Sequence, residues 1–304
     1  MFDTFEHTQV DTSGATIHLV KKGERFPLLL LHGYPQTHVM WHKIAPRLAE
    51  HFTVVAPDLR GYGDSSKPED GPDHSTYSKR AMAQDLVEVM DTLGYQEFFV
   101  VGHDRGGRAA HRMALDHPHR VKKLVVLDIA PTYTMYKSTD KAFATAYYHW
   151  FFLIQPYDLP ERLIGSQPEY YLRRCLTSWG ADPTAFAPEA VAEYIRCFSN
   201  PATIHASCED YRAAATVDLQ HDEADLDRKV TCPLLALWSE RGVVGRRYNV
   251  LETWHERAND VSGKALPGGH FLPEEAPEET YEALLGFLLP GATSQGKRDE
   301  GEKP

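Results

Sequence analysis

The stretch Phe98-Phe99-Val100-Val101-Gly102-His103-Asp104-Arg105-Gly106-Gly107-Arg108 restricts the fold more than any other part of the chain. Phe98 to Val101 is a short apolar run that predicts a buried strand. Gly102, Gly106 and Gly107 crowd a sharp turn, and Ala109 to Leu115 opens a helical pattern. Strand, sharp turn and helix in this order form the elbow that in other chains presents the serine of G-x-S-x-G. Here Asp104 takes the serine's place. Small neighbours let a strained turn project its side chain above the sheet. A carboxylate nucleophile makes an alkyl ester, which suits displacement at a saturated carbon rather than acyl transfer. The plainer alternative is that Asp104 only caps the following helix, a position Asp fills well.

The rest of the chain gives the elbow a sheet to sit on. Apolar runs at Pro27–Leu31, Phe52–Ala56, Phe98–Val101, Leu124–Leu127, Leu234–Trp238 and Val261–Leu266 read as strands. Helical patterns at Trp41–Leu48, Ala81–Leu93, Ala109–Asp116 and Glu278–Leu289 alternate with them. Such alternation implies an α/β fold, with a mostly parallel sheet covered on both faces by helices. Thr16–Lys21 and the segment before it are expected to form an antiparallel hairpin at one edge. Between about Thr132 and Asp218 the rhythm is lost, and an aromatic-rich helical stretch suggests an inserted lid. The domain reading is a core of residues 1–131 and 219–290, a helical lid over 132–218, and a disordered tail over 291–304.

Composition excludes several other functions. The net charge is −11 with no basic block, which disfavours nucleic acid or an anionic membrane as partner. The N-terminus lacks a basic region followed by an apolar core, so no signal peptide is expected. Apolar runs such as Trp150 to Ile154 are too short to span a bilayer. Cys175, Cys197, Cys208 and Cys232 show no zinc spacing and read as reduced thiols of a cytoplasmic protein. His38 with His42, and His117 with His119, lack a third ligand in any recognisable pattern. They read as surface or loop histidines, and no metal or cofactor is expected.

Four further features bear on chemistry. His32-Gly33-Tyr34-Pro35 follows the Pro27–Leu31 strand. The backbone N–H groups of Tyr34 and Arg105 would form an oxyanion hole, unless this is an ordinary strand-end turn. Asp58-Leu59-Arg60-Gly61-Tyr62-Gly63 lacks the third glycine and the helix of a dinucleotide fingerprint, and reads as a structural loop beside the site. His270, in Leu266-Pro267-Gly268-Gly269-His270-Phe271, sits past the last strand and fits a general base. The order nucleophile, acid, histidine leaves Asp128 or Glu240 as the acid. Asp128 is preferred because it directly ends the Leu124–Leu127 strand, whereas Glu240 is followed by Arg241 and fits a local pair. No G-x-S-x-G occurs, which argues against a serine esterase.

Arg105 and Arg108 stand at a helix N-terminus that is already electropositive, so they are not placed for the dipole. Each points to an anion: either Asp104 itself, or also a substrate carboxylate held by charge-assisted, even bidentate, hydrogen bonds. The lid supplies polar-tipped aromatics, Tyr147-Tyr148-His149-Trp150, Trp179 and Tyr211. Most lid aromatics are packing, but His, Trp and Tyr donors over a nucleophile could also cradle a leaving anion.

Taken together, Gly102 to Arg108, Asp128-Ile129-Ala130-Pro131-Thr132, Tyr148-His149-Trp150, Cys208-Glu209-Asp210-Tyr211-Arg212 and Gly268-Gly269-His270-Phe271 resemble the fluoroacetate (haloacetate) dehalogenases of the α/β-hydrolase fold. The resemblance covers nearly the whole chain except the terminal tail. It implies Asp104 as nucleophile, His270 as base and Asp128 as its partner. It also implies Arg105 and Arg108 for the substrate carboxylate, and His149, Trp150 and Tyr211 for the halide. Members are often homodimers, so a second copy of the chain is an implied partner beside the haloacid. The resulting expectation is cofactor-free hydrolysis of short 2-haloacids through an aspartyl ester. An epoxide hydrolase shares Asp, His and acid but has little use for two arginines beside the nucleophile. A small-molecule receptor on the same fold would not need the base.

Overall fold

The computed structural model describes residues 1–289; the expected tail at 291–304 lies outside them. Eight strands form one sheet: β1 (Glu6–Asp11), β2 (Thr16–Lys22), β3 (Pro27–Leu31), β4 (Thr53–Pro57), β5 (Phe98–His103), β6 (Val121–Leu127), β7 (Leu234–Ser239) and β8 (Val261–Leu266). Their spatial order is β1-β2-β4-β3-β5-β6-β7-β8. The expected hairpin is β1 with β2, and β2 also runs antiparallel to β4. From β4 to β8 every neighbouring pair is parallel. β3 and β4 are buried at every residue, because parallel strands are covered by helices on both faces and read as continuous apolar runs.

The sheet sets the position of the elbow. β3 pairs with β4 on one side and β5 on the other, so the connection after β3 and the one after β4 run in opposite directions across the sheet and open a crevice at the carboxyl ends of the strands. The helix after β5 runs Asp104–Asp116 and begins at the elbow aspartate itself, five residues earlier than the helical pattern alone indicates. Its glycines are needed for close approach. A Cβ on Gly106 would lie 2.3 Å from the His32 carbonyl oxygen, and one on Gly102 would lie 2.5 Å from that of Gly106.

Two other helices differ from expectation for local reasons. The expected Trp41–Leu48 helix divides into a 3-10 turn, His38–Trp41, and a short α-helix, Ala45–Leu48. Pro46 lacks an N–H and clashes with a preceding turn, so it restarts the helix rather than continuing it. The helix before β5 runs Lys79–Thr92, because the Ser78 side chain accepts from the Ala81 amide at 3.2 Å and fixes its start. The final helix is Pro277–Leu288.

Between β6 and β7 the chain contains helices only, from Thr132–Lys137 through Val217–Ala224. Four of the α-helices carry proline in the first turn: Leu159–Ser166, Pro168–Trp179, Pro188–Phe198 and Pro201–Ala215. Proline suits that position because its missing N–H would have had no partner there. The insertion is joined to the core by buried charge. Asp210 accepts from Arg105 and from Tyr62, whose hydroxyl donates at 2.7 Å, and pairs with the Lys79 ammonium. Among the described residues no helix is long and apolar enough to cross a membrane. All four cysteines are free, and three are buried.

Candidate active site

Asp104 stands at the carboxyl end of β5 with φ of 44°. Left-handed backbone at a non-glycine residue is strained and persists only where the surroundings hold it. Here β3 and the glycine-lined turn hold it. The Tyr34 amide donates to Asp104 Oδ2 at 3.1 Å. Among the described residues the Arg105 amide makes no bond to that carboxylate, so one of the two expected oxyanion donors is engaged.

His270 follows β8. Its Nδ1 lies 2.6 Å from Asp128 Oδ2, and its ring lines the same cavity as Asp104 and Asp128. Asp128 ends β6 with φ of 50°, and its other oxygen accepts from the Ser239 amide at 2.9 Å. The side chain of Glu240 is 51% exposed and lies 3.8 Å from Arg241. Geometry therefore pairs the histidine with Asp128 and not with Glu240. Burial alone would push the His270 imidazole down, but the hydrogen bond and charge of Asp128, with the charge of Asp104, hold it above the ordinary value. Burial likewise opposes ionisation of Asp104. His270, Arg108 and Arg105 outweigh it and hold the carboxyl below its ordinary value.

The two arginines are both buried but bonded differently. Arg105 directs Nε and Nη2 at Asp210, with contacts of 2.9 Å to Oδ2 and 2.5 Å to Oδ1. Its bidentate edge is thus engaged by the insertion. Its Nη1 is buried without a protein partner. Arg108 Nη1 donates to the Ala130 carbonyl at 3.1 Å and to Thr132 Oγ1 at 2.8 Å, and its Nε is buried without a partner.

The three expected halide residues come together behind the cavity. His149 lines it and sits 5.8 Å from the Tyr211 ring. Arg105 lies 4.2 Å over Tyr211, and Arg108 lies 4.8 Å over Trp150. Trp150, Tyr211 and the arginines are wall residues that do not line the cavity directly. The His149 Nδ1 and Trp150 Nε1 atoms are buried without protein partners. Burial pushes His149 down to about 3, so the ring is neutral at ordinary pH. The cavity measures about 310 Å³, and Tyr147 and Trp179 form part of its wall.

Some residues of the site escaped the sequence reading. Asp210 neutralises Arg105, and the only local signal was an acid beside Tyr211 in a helix. His38 is not a surface residue: it is buried, and its Nδ1 lies 2.9 Å from Asp58 Oδ1. Asp58 also meets His18 Nδ1 at 2.9 Å and accepts from the amides of His38 and Asp64. This set and the Asp70–His74–Glu209 and Glu161–His205–Glu209 sets could hold a metal ion by distance. None of their residues lines the Asp104 cavity. In the Glu161 and Glu209 sets the Arg212 guanidinium already supplies a cation, 2.7 Å from Glu161 and 2.5 Å from Glu209.

A family model for the α/β hydrolase fold matches residues 27–277. The chain is 48% identical over 289 residues to the fluoroacetate dehalogenase of Burkholderia sp, covering 95% of each chain. It is 37% identical over 290 residues to the soluble epoxide hydrolase of Corynebacterium sp. (strain C12), covering 93% of this chain and 97% of that one. The crystal structure of a protein described as an α/β hydrolase, from Nostoc sp PCC 7120, is 70% identical with a TM-score of 0.95, and covers 95% of this chain and 100% of that one. The chain belongs to the α/β-hydrolase fold family and, within it, to the family of fluoroacetate dehalogenase.

Proposed function

We propose that the protein hydrolyses short 2-haloacids, converting a haloacetate to glycolate and halide through an ester on Asp104. One observation carries the reading. Four buried nitrogen atoms, Arg105 Nη1, Arg108 Nε, His149 Nδ1 and Trp150 Nε1, have no protein partner; Arg105, Arg108 and His149 lie within electrostatic reach of the ionised Asp104 carboxylate, and Arg108 lies over the Trp150 ring. A buried polar group left unpaired costs ~1–3 kcal/mol. An anionic substrate relieves that cost. Its carboxylate takes the arginine N–H groups, and its departing halide takes His149, Trp150 and Tyr211.

In this mechanism an Asp104 oxygen attacks the carbon bearing the halogen. The carbon–halogen bond breaks and the halide leaves with the electron pair. His270, with Nδ1–H held on Asp128, takes a proton from water through Nε2. The hydroxide adds to the Asp104 ester carbonyl, whose oxyanion accepts from the Tyr34 amide. Collapse breaks the ester C–O bond, the leaving alkoxide takes the proton held by His270 to become glycolate, and the Asp104 carboxyl releases its proton to solvent. No cofactor is needed for any step. Fluoride demands most from the donors because its charge is dense, and preorganised donors in a water-poor cavity are the strongest means of stabilising it.

A second reading is epoxide hydrolysis. It is favoured by one feature, a half-buried tyrosine in the cavity wall: Tyr147 holds its proton strongly, chiefly through desolvation of its hydroxyl. Such a tyrosine could donate to an epoxide oxygen. A neutral epoxide would leave both arginine N–H groups unpaired. Halide release from fluoroacetate and chloroacetate, measured beside diol formation from styrene oxide, decides between them. The proposal requires halide release and little diol; the reverse pattern would refute it.

A further inference from the structure

The cavity over Asp104 is larger than a haloacetate needs. It measures about 310 Å³. A haloacetate has five non-hydrogen atoms, and one water takes about 30 Å³ of liquid. Part of the remaining wall is the segment after β7, Glu240-Arg241-Gly242-Val243-Val244-Gly245-Arg246-Arg247, a bend that leads into a short helix at Val243–Arg247. Its three arginines are placed differently. Arg247 ties the segment to the insertion, pairing with Asp140 Oδ1 at 3.0 Å and donating to the Ser138 carbonyl at 2.6 Å. Arg241 and Arg246 instead line the cavity and are exposed.

Neither has a strong acidic partner. Among the described residues Arg246 forms no ion pair, and its Nε donates to the Gly242 carbonyl of its own turn at 3.2 Å. Arg241 meets only the adjacent Glu240, at 3.8 Å with both side chains more than half exposed. Among the described residues Asp104 and Asp128 are the only acids lining the cavity. Gly242 brings the segment against the catalytic core, since a Cβ there would lie 3.4 Å from Asp128 Oδ1. Two cations, Arg246 without an ion pair and Arg241 with only the exposed Glu240 at 3.8 Å, therefore share a cavity with the nucleophile, in a chain whose net charge is −11.

We propose that Arg241 and Arg246 form a second anion site, and that the substrates include 2-haloacids carrying a second carboxylate at the far end, such as 2-haloglutarates. The proposal rests on the dehalogenase reading. The reacting carboxylate is held by the inner donors and the distal one by Arg241 and Arg246. The bonds made and broken are those already described, and the product is a 2-hydroxydicarboxylate.

Glutarate and pentanoate test the second site without turnover, because they have the same chain length and differ in the distal carboxylate. Calorimetry at low salt should show glutarate binding roughly fivefold tighter, the scale of two exposed ion pairs. The difference should shrink with added salt and vanish in the R241Q/R246Q variant. A similar factor should separate kcat/KM for 2-chloroglutarate and 2-chloropentanoate. Equal binding of the two acids by the wild type, or a preference that survives in the double variant, would overturn the second site. Halide release from chloroacetate, run in parallel on the wild type, tests the dehalogenase reading separately. Release without a glutarate preference sinks only the second site, and a glutarate preference without release sinks only the reading.

Discussion

At the scale of single residues, each side chain at the site is defined by what it is bonded to. The His270 imidazole is set between burial, which favours the neutral ring, and the Asp128 and Asp104 charges, which favour the cation. As a base it works only when neutral. The rate of ester hydrolysis should therefore fall as pH drops through a midpoint held up by Asp128, the Asp104 charge being absent in the ester. Asp128→Asn removes the nearest charge and leaves burial to dominate, so the midpoint of the kcat–pH profile should move down as the maximal rate drops. A midpoint that stays in place would mean Asp128 does not set the histidine's proton affinity. Arg108 makes a second prediction. Removing one partner of a buried, hydrogen-bonded charge pair costs ~2–5 kcal/mol, so Arg108→Leu should lower kcat/KM for chloroacetate roughly thirty-fold to several thousand-fold. Chloroacetamide, which lacks the charge, should lose little. Equal losses on both substrates would assign Arg108 to its Ala130, Thr132 and Trp150 contacts alone.

At the scale of elements, strands and single chain contacts differ in how well the sequence reveals them. β3 and β5 stand where apolar runs end at glycine- or histidine-bearing loops, because a buried parallel strand has a continuous local signature, whereas β8 is a largely exposed edge strand that pairs only with β7. The Asp128–His270 pair follows from this, since both residues sit just past strand ends. The Arg105–Asp210 pair spans 105 positions, and no local pattern announces such a partner. The same holds for His38, whose burial depends on an aspartate from β4's loop. Asp210 also joins Lys79, Tyr62 and the insertion helix that carries Tyr211, so it should act as a structural joint. Asp210→Asn should lower unfolding free energy by ~3–5 kcal/mol in urea titration, the cost of breaking a buried pair on one side. Asp64→Asn, at an exposed pair with Arg196, should change it by ~0–1 kcal/mol. Similar small losses at both positions would show that Asp210 does not hold the insertion to the core.

At the scale of the whole molecule, the fold places three strand-end loops and a helical insertion around one carboxylate. The parallel strands put Asp104, Asp128 and His270 at the carboxyl end of the sheet, around one cavity, although they are far apart in sequence. The insertion closes over them and brings His149, Trp150 and Tyr211 behind the cavity, with the arginines below. All of this serves one chemical claim, that Asp104 becomes an ester during turnover. The most direct test is a single turnover of chloroacetate by excess enzyme in heavy-oxygen water, followed by mass analysis of glycolate and of the peptide carrying Asp104. The ester mechanism predicts that the label enters Asp104 and that the first glycolate formed carries ordinary oxygen from it. Label appearing directly in that glycolate, with Asp104 unlabelled, would contradict the mechanism, because water would then have attacked the substrate carbon itself.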